Sequence, residues 1–339
     1  MEAIRQYEFG GPQTLRLETM DDLVPGTGEV RIAVAFAGVH LIDTRIRQGT
    51  FFGVGPRPSL PMTPGREVAG VVAAVGSGVD SSWIGLPVVA HLGDANGGYA
   101  SAAVARADDV YCLPDGTDLA AAIAMVGTGR TALGILEVAQ VRREDVVVLT
   151  AAAGGIGALL IQAARRAGAF VVGTAGGASK AEVVRRLGAD LAVDYREASW
   201  QERVRDELVG RRVSLGLDGV GGAAGRAVLE LLALGGRMVM YGFASGEAIP
   251  LTVGDLFTRG ISVTSGIGAR VAARPGGLRP LAERALAELA GGRLMPLVHP
   301  PFALADAAAA HRALEGRETT GKVVLVPSRM RPATPTSEG

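Results

Sequence analysis

The chain has 339 residues, 48% of them apolar, and its 34 basic and 34 acidic residues cancel to no net formal charge. That length supports two domains with sizeable cores. Balanced charge without long like-charge blocks offers no electrostatic footprint for nucleic acid or an anionic membrane, and the single cysteine, Cys112, excludes an intrachain disulfide framework and a multi-cysteine zinc site.

Along the chain, residues 1 to about 120 read as short strands broken by Gly and Pro, at 29–36, 68–75, 87–91 and 99–105. Cys112, in the apolar segment 110–113, is expected to be structural. From residue 121 the pattern becomes alternating helix and strand. Strands are expected at 146–149, 170–173, 191–193, 215–218, 237–241 and 262–264, with helices at 158–167, 180–187 and 225–234. Six such strands predict a doubly wound parallel sheet. After a helix at 278–290, residues 294–325 are read as returning to the first domain and closing it, and the Pro-, Ser- and Thr-rich tail 328–339 reads as disordered. The fold class is α/β, with a mostly β domain of residues 1–120 and 291–327 and a Rossmann domain of residues 121–290. No run reads as an uncharged span of roughly 18 apolar residues. Met1-Glu2-Ala3-Ile4-Arg5 does not open as a signal peptide, so a cytoplasmic protein without membrane or nucleic-acid partners is the expectation.

The most informative stretch is 146–174, where a Gly-rich turn joins an apolar β-branched strand to a helix with helical apolar spacing. Gly154, Gly155 and Gly157 occupy the join. Glycine lets the backbone turn tightly and lets phosphate oxygens approach main-chain N–H groups at a helix N-terminus. A second apolar strand follows at the distance of a βαβ unit, so the motif points to a dinucleotide. Its end reads Val171-Val172-Gly173-Thr174-Ala175-Gly176-Gly177, without the carboxylate that would accept from a ribose 2′-OH and repel a 2′-phosphate. Lys180 and Tyr195-Arg196 follow, which favours NADPH over NADH. Lys180 retains a second reading, as a solvated charge opening its helix.

Further motifs join these: residues 40–49 (HLIDTRIRQG), GREVAG at 65–70, GSGV at 76–79, GTGRTA at 127–132, Tyr195-Arg196-Glu197, Asp218-Gly219-Val220-Gly221-Gly222 and Thr320-Gly321-Lys322. In this order and spacing the chain resembles the medium-chain dehydrogenase/reductases, and among them the zinc-free quinone oxidoreductases. The resemblance implies a GroES-like catalytic domain, a Rossmann domain binding NADPH, and a cleft where a quinone or enone meets the nicotinamide. It puts Ala152, Gly154, Gly155 and Ile156 at the pyrophosphate. Gly173, Thr174, Lys180 and Tyr195 fall at the adenosine phosphate, and Val220 and Gly221 near the ribose. Tyr241, Gly242 and Phe243 come at the nicotinamide side, with Thr131 beneath it. It also implies a homodimer through the last Rossmann strand, near 261–265.

Zinc-dependent relatives carry ligands at the positions here occupied by His40, Arg66 and Gly127. Arg66 and Gly127 cannot serve in that role and the four-cysteine structural lobe is missing, so no metal is expected. Arg66-Glu67 is read first as a structural ion pair or hydrogen-bond network, and Asp43 with Arg47 as architecture. Without a Lewis acid an ordinary ketone is a poor acceptor. A quinone or α,β-unsaturated carbonyl delocalises the charge arriving with hydride. His40, where such reductases commonly carry Asn, has two readings: a donor to the acceptor oxygen, or a ring packed against Phe51. Phe51 replaces a Tyr of some relatives, and the segment 49–64 is expected to line the acceptor pocket. His91, His299 and His311 are expected to be structural. The leading reading is a metal-free NADPH:quinone reductase. The alternatives are an NADPH-dependent enoyl or alkenal double-bond reductase, or a nicotinamide-binding protein with little turnover.

Overall fold

The computed structural model describes residues 1–50, 58–268 and 273–328. Phe51 therefore lies outside the described residues, as do most of the expected pocket segment's aromatic stretch and the tail from residue 329.

In chain order, β1 (Glu2–Arg5) pairs antiparallel with β2 (Arg16–Thr19). The long β3 (Glu29–Val39) leads into α1 (Leu41–Gln48), followed by β4 (Glu67–Val75), β5 (Pro87–His91), β6 (Ala102–Arg106) and β7 (Val110–Cys112). These strands are dominated by Val, Ile and Ala, which suit a pleated surface packed on one face. Helix α2 (Leu119–Ala124) passes through a π-helical turn, Met125–Gly129, into α3 (Arg130–Ala139). A βα series follows: β8 (Val146–Leu149), α4 (Gly155–Arg166), β9 (Phe170–Ala175), α5 (Ala178–Arg186), β10 (Leu191–Asp194) and α6 (Trp200–Glu207). It continues with β11 (Val213–Asp218), α7 (Gly222–Leu231), β12 (Leu232–Met240), α8 (Val253–Arg259), β13 (Ser262–Ser265) and α9 (Arg279–Ala290). The chain ends its described part with β14 (Phe302–Ala303), α10 (Ala307–Glu315) and β15 (Val323–Val326).

Two compact units result, Met1–Gly127 with the segment from Val298 onward, and Thr128–Leu297. Both joins fall seven residues later than the pattern change suggested. The physical reason is that α2 packs on β3, β4 and β5 of the first unit, whereas Met295 is tied to Gln162 of α4 by reciprocal hydrogen bonds.

In the first unit a seven-stranded sheet has the order β14-β15-β3-β4-β5-β7, and β6 pairs with the first half of β3. Its core gathers Ile4, Val30, Ile32, Val34, Val68, Val72, Val88, Tyr99 and Leu325. In the second unit six parallel strands run in the order β10-β9-β8-β11-β12-β13, the doubly wound arrangement expected from the sequence. All four residues of β8 are buried, as a central parallel strand covered on both faces must be.

Two local expectations need correction, the end of one helix and the place of Cys112. The helix expected at 225–234 stops at Leu231, because Leu232 already pairs with Val213 of β11. The stretch Leu119–Ala139, although long and apolar enough to cross a membrane by length and composition, carries Arg130 and Glu137, so the expectation of no uncharged span stands, and 72% of its most apolar window is buried within the protein, as for a core helix. Cys112 is exposed at the end of β7 rather than packed inside.

Candidate functional site

Strand register in the first unit assembles a charged cluster from three distant segments. β3 pairs antiparallel with β15 through Val39↔Val323 and with β4 through Ala37↔Val68. The residues just beyond those pairs, His40, Lys322 and Glu67, are thereby brought together. Glu67 Oε1 lies 2.7 Å from His40 Nε2, and Lys322 Nζ donates to Glu67 Oε2 at 2.7 Å and contacts His40 Nε2 at 2.8 Å. Glu67 is fully buried and Lys322 nearly so, while the His40 side chain keeps 24% of its surface exposed. Burial alone would push the Glu67 carboxyl up. His40 and the Lys322 ammonium outweigh that and hold it well below the usual carboxylate range.

His40 precedes α1, and its backbone N–H donates to Asp43 Oδ2 at 2.8 Å, which fixes the turn into the helix. Beneath the turn runs a buried chain. Tyr99 Oη donates to the same Asp43 oxygen at 3.1 Å and lies 3.0 Å from His311 Nε2. Arg47 reaches His311 Nδ1 at 3.4 Å and Glu315 Oε1 at 2.6 Å. Burial, helped by the Arg47 guanidinium, pushes His311 down to about 3. A neutral His311 therefore accepts from Arg47 through Nδ1 and donates to Tyr99 through Nε2, so the bonds run in one direction, from the Arg47 guanidinium through His311 and Tyr99 to the Asp43 carboxylate. Asp43 and Arg47 are architecture, as expected. His91 Nδ1 accepts from Gly93 N at 3.1 Å and His299 Nδ1 from Thr320 N at 3.4 Å.

Arg66 and Glu67 do not pair with each other, contrary to one sequence expectation. Alternation on the strand sends neighbours to opposite faces. Arg66 donates to Gly93 O at 3.0 Å and Asp94 Oδ1 at 3.0 Å, and Glu67 turns inward. The residues at the zinc-ligand positions do not fit a zinc ion. A Cβ at Gly127 would overlap Glu67 Oε1, and one at Gly38 would overlap Glu67 Oε2, so the carboxylate fills the space a ligand side chain would need. The Lys322 ammonium already holds the remaining donor atoms, and among the described residues no group of three or more His, Cys, Asp and Glu could hold a metal ion.

In the second unit the ends of β8, β11 and β12 are clamped at the point where the strand order reverses. Asp218 Oδ1 accepts from Thr150 Oγ1 at 2.6 Å and Val220 N at 3.1 Å, and Oδ2 accepts from Gly221 N at 2.9 Å. The Tyr241 hydroxyl donates to Thr150 O at 2.8 Å, so its side chain braces the strand ends. The following loop is laced back by Ala244 N to Gly219 O and Ser245 N to Val220 O, leaving Phe243 partly exposed beyond Gly242. In open α/β sheets this reversal is where ligands bind.

The Gly-rich turn forms at the same end. Ala151 adopts a positive φ of 49°, an uncommon conformation for a residue with a side chain. Ala152 is buried and donates its N–H to Thr174 O at 3.1 Å, Gly154 caps α4, and Gly155 and Ile156 form its first turn. A Cβ at Gly157 would overlap Ala151 O, so only glycine lets the helix lie this close to the turn. Next to it β9 closes with Gly173, the buried Thr174 and the buried Ala175. Lys180 lies half-buried in the first turn of α5, and Tyr195 and Arg196 fold against Gly176 and Gly177. The nearby carboxylate, Asp194, is engaged by Gly177 N at 2.8 Å and Arg196 N at 3.0 Å. These backbone bonds, Gly177 first, lower its pKa. Thr131, in the first turn of α3, is half-buried.

Sequence reasoning thus missed Glu67 and Lys322 as members of the site. The available signal was a pair of opposite charges, each abutting an otherwise apolar run, in Glu67-Val68-Ala69 and Lys322-Val323-Val324.

A β-sheet unit with a helix-capped charged cluster and a doubly wound unit with a Gly-rich phosphate-type turn together define a medium-chain dehydrogenase/reductase. Residues 26–115 match the model of the alcohol dehydrogenase GroES-like domain, and residues 155–283 that of the zinc-binding dehydrogenases. Among curated proteins, the Salmonella typhimurium quinone oxidoreductase is 32% identical over 336 residues, 96% of this chain and 99% of the relative. The Sus scrofa quinone oxidoreductase is 33% identical, over 96% of this chain and 98% of its own. The chain also matches, at 31% identity, a stretch amounting to 15% of a Mycobacterium tuberculosis mycocerosic acid synthase-like polyketide synthase. The structure of Escherichia coli quinone oxidoreductase complexed with NADPH is similar with a TM-score of 0.84 and 30% identity, covering 96% of this chain and 100% of that one. The chain belongs to the quinone oxidoreductase family and is a quinone-oxidoreductase-like enzyme.

Proposed function

We infer that the protein is an NADPH-dependent reductase of quinone-type conjugated acceptors that works without a metal. The observation that carries this reading is the near-complete, over-30% likeness to quinone oxidoreductases, one of them solved with NADPH. Supporting it, the Gly-rich turn at 154–157 lies at the strand reversal, and Lys180, Tyr195 and Arg196 gather at the end of β9 without a free carboxylate. The pyrophosphate is assigned to the backbone from Ala152 to Ile156, and the 2′-phosphate to the Gly173–Thr174 end of β9 with Lys180 and Tyr195. Val220 and Gly221 serve the ribose. Tyr241, Gly242 and Phe243, with Thr131, serve the nicotinamide.

NADPH, when bound, supplies a hydride. With that hydride and one proton from water, a quinone becomes a hydroquinone. His40 donates a hydrogen bond to the acceptor oxygen as charge gathers there, the work a metal does in zinc-dependent relatives. Because charge delocalises over a conjugated acceptor, one neutral donor suffices where a simple ketone would need a Lewis acid. The likeness to a polyketide synthase segment favours a second reading, reduction of an enoyl or alkenal double bond by the same hydride chemistry.

The test is NADPH oxidation by the purified protein against quinones, enones and alkenals, with and without a chelator, alongside metal analysis. Turnover of quinones that is untouched by the chelator and accompanied by no stoichiometric zinc supports the reading. Enone or alkenal turnover alone moves the assignment to double-bond reduction, and NADPH binding without turnover makes the chain a nucleotide-binding protein.

A homodimer through β13 belongs to the same reading. β13 is the edge strand of its sheet, and Val253 and Phe257 of the adjacent α8 are largely exposed apolar side chains. Sedimentation equilibrium giving a mass of one chain would refute it.

A further inference from the structure

We propose that the Asn96–Gly97 peptide is a self-modifying site, where the folded chain converts its own asparagine to aspartate and isoaspartate through a cyclic imide. The site lies in the loop between β5 and β6, and the proposal is independent of the reaction read above. Asn96 is the only asparagine among the 339 residues, and a glycine follows it. Without a Cβ, Gly97 leaves its backbone nitrogen open to approach, and even a methyl group there would meet nothing within 4 Å.

The backbone favours ring closure. Asn96 has φ 59° and ψ −154°, at the border of a region that is essentially glycine's alone. Asparagine does visit positive φ, but mostly in the left-handed helical well, where ψ is about +47°. The imide needs Asn96 Cβ and Gly97 N nearly eclipsed about the Cα–C bond. For an L-residue that falls at a ψ of about −120°, whereas ψ is about −42° in a helix and about +135° in a strand. Asn96 is held closer to the ring geometry than either regular conformation would bring it. The loop is pinned around it: Arg66 donates to Gly93 O and Asp94 Oδ1, and the Gly98 and Tyr99 N–H groups donate to Gly65 O and Pro64 O. Holding two reacting groups in place in this way is what lowers the entropic part of a barrier.

In the reaction Gly97 N gives up its proton and attacks Asn96 Cγ. The N–Cγ bond forms, the Cγ–Nδ2 bond breaks, and ammonia leaves with that proton. Two hydrogen bonds are lost on the way, Asn96 Nδ2 to Asp94 O at 3.0 Å and Gly97 N to Thr63 O at 2.8 Å. Water then opens the imide. At Cγ it leaves an aspartate in an unaltered main chain, and at the α-carbonyl it routes the main chain through the side chain as isoaspartate. Either product adds a negative charge beside Asp94.

The test incubates the full chain at one mildly alkaline pH and temperature, folded in buffer and unfolded in urea, and follows it by peptide mass mapping with enzymatic methylation of isoaspartate. The folded chain is expected to convert Asn96 several-fold faster than the unfolded chain, with isoaspartate found in the peptide that holds Asn96 and Gly97. Gly97→Ala is expected to convert more slowly, since its methyl crowds the attacking nitrogen. Folded conversion no faster than unfolded overturns the proposal. Asn96→Gly tests the backbone separately and is expected to raise the thermal midpoint, because relief of strain outweighs the added freedom of glycine in the unfolded chain. A lowered midpoint would show that the loop stores no strain at Asn96 and overturns the proposal as well.

Discussion

Glu67 and Lys322 show how one residue's environment sets another's chemistry. A buried carboxylate with a buried ammonium is held together because removing either partner leaves an uncompensated charge, which typically costs about 3–5 kcal/mol. His311 obeys the same physics, and its stability too is lost as pH falls, but over a higher pH window. Its folded pKa, about 3, lies below the ordinary histidine value, so the unfolded chain binds the proton more readily. The stability it contributes is complete above the unfolded pKa and is lost as pH falls toward the folded one. Between pH 7 and pH 5 the loss amounts to about 2 kcal/mol. Urea unfolding is expected to show a wild-type pH slope over that interval steeper than that of His311→Gln; equal slopes would contradict the assignment. At the nucleotide end, Lys180→Ala should weaken NADPH binding about 10- to 100-fold, as loss of a charge-assisted phosphate contact does, and leave NADH binding nearly unchanged. Titration calorimetry with both nucleotides checks it, and equal losses would remove Lys180 from the phosphate site.

At the scale of elements, the Gly-rich turn was legible because its information is local: three glycines, a preceding β-branched run and a following helical period lie within one short stretch. The clamp beside it was not. Thr150 and Asp218 end two strands 68 residues apart, and nothing in either segment names the other. Asp218 accepts three hydrogen bonds at once, which only a carboxylate does without turning a donor toward backbone N–H groups. Asp218→Asn is therefore expected to cost about 2 kcal/mol in urea unfolding and to raise the Kd for NADPH, because the ends of β8 and β11 lose their lock. The helix boundary at Leu231 was misread for a related reason. The run Leu231-Leu232-Ala233-Leu234 satisfies either period, and pairing with β11 decides.

Across the whole molecule, chain continuity distinguishes the two units. Thr128–Leu297 is one uninterrupted segment containing all six parallel strands and its own apolar core. The first unit is completed only from the C-terminal end, which supplies β15 beside β3, Lys322 for Glu67 and His311 for Tyr99. Residues 128–297 expressed alone are accordingly expected to unfold cooperatively in a thermal melt. Residues 1–127 alone are expected not to, and a cooperative transition from that fragment would show that the closing segment is dispensable.

By itself the sequence determined what depends on neighbours along the chain: the alternating βα half, the phosphate-type turn, the missing carboxylate at the end of β9, and Arg66 and Gly127 standing where zinc-dependent relatives carry ligands. Only the tertiary structure decided that His40 meets Glu67 and Lys322, that Arg66 turns away from Glu67, and that Asp43, Tyr99, His311 and Arg47 share one buried chain. Apolar period and turn chemistry act over a few residues. Strand register, by contrast, joins side chains 255 and 282 positions apart, and which charged groups then exclude water together follows from packing that no local pattern encodes.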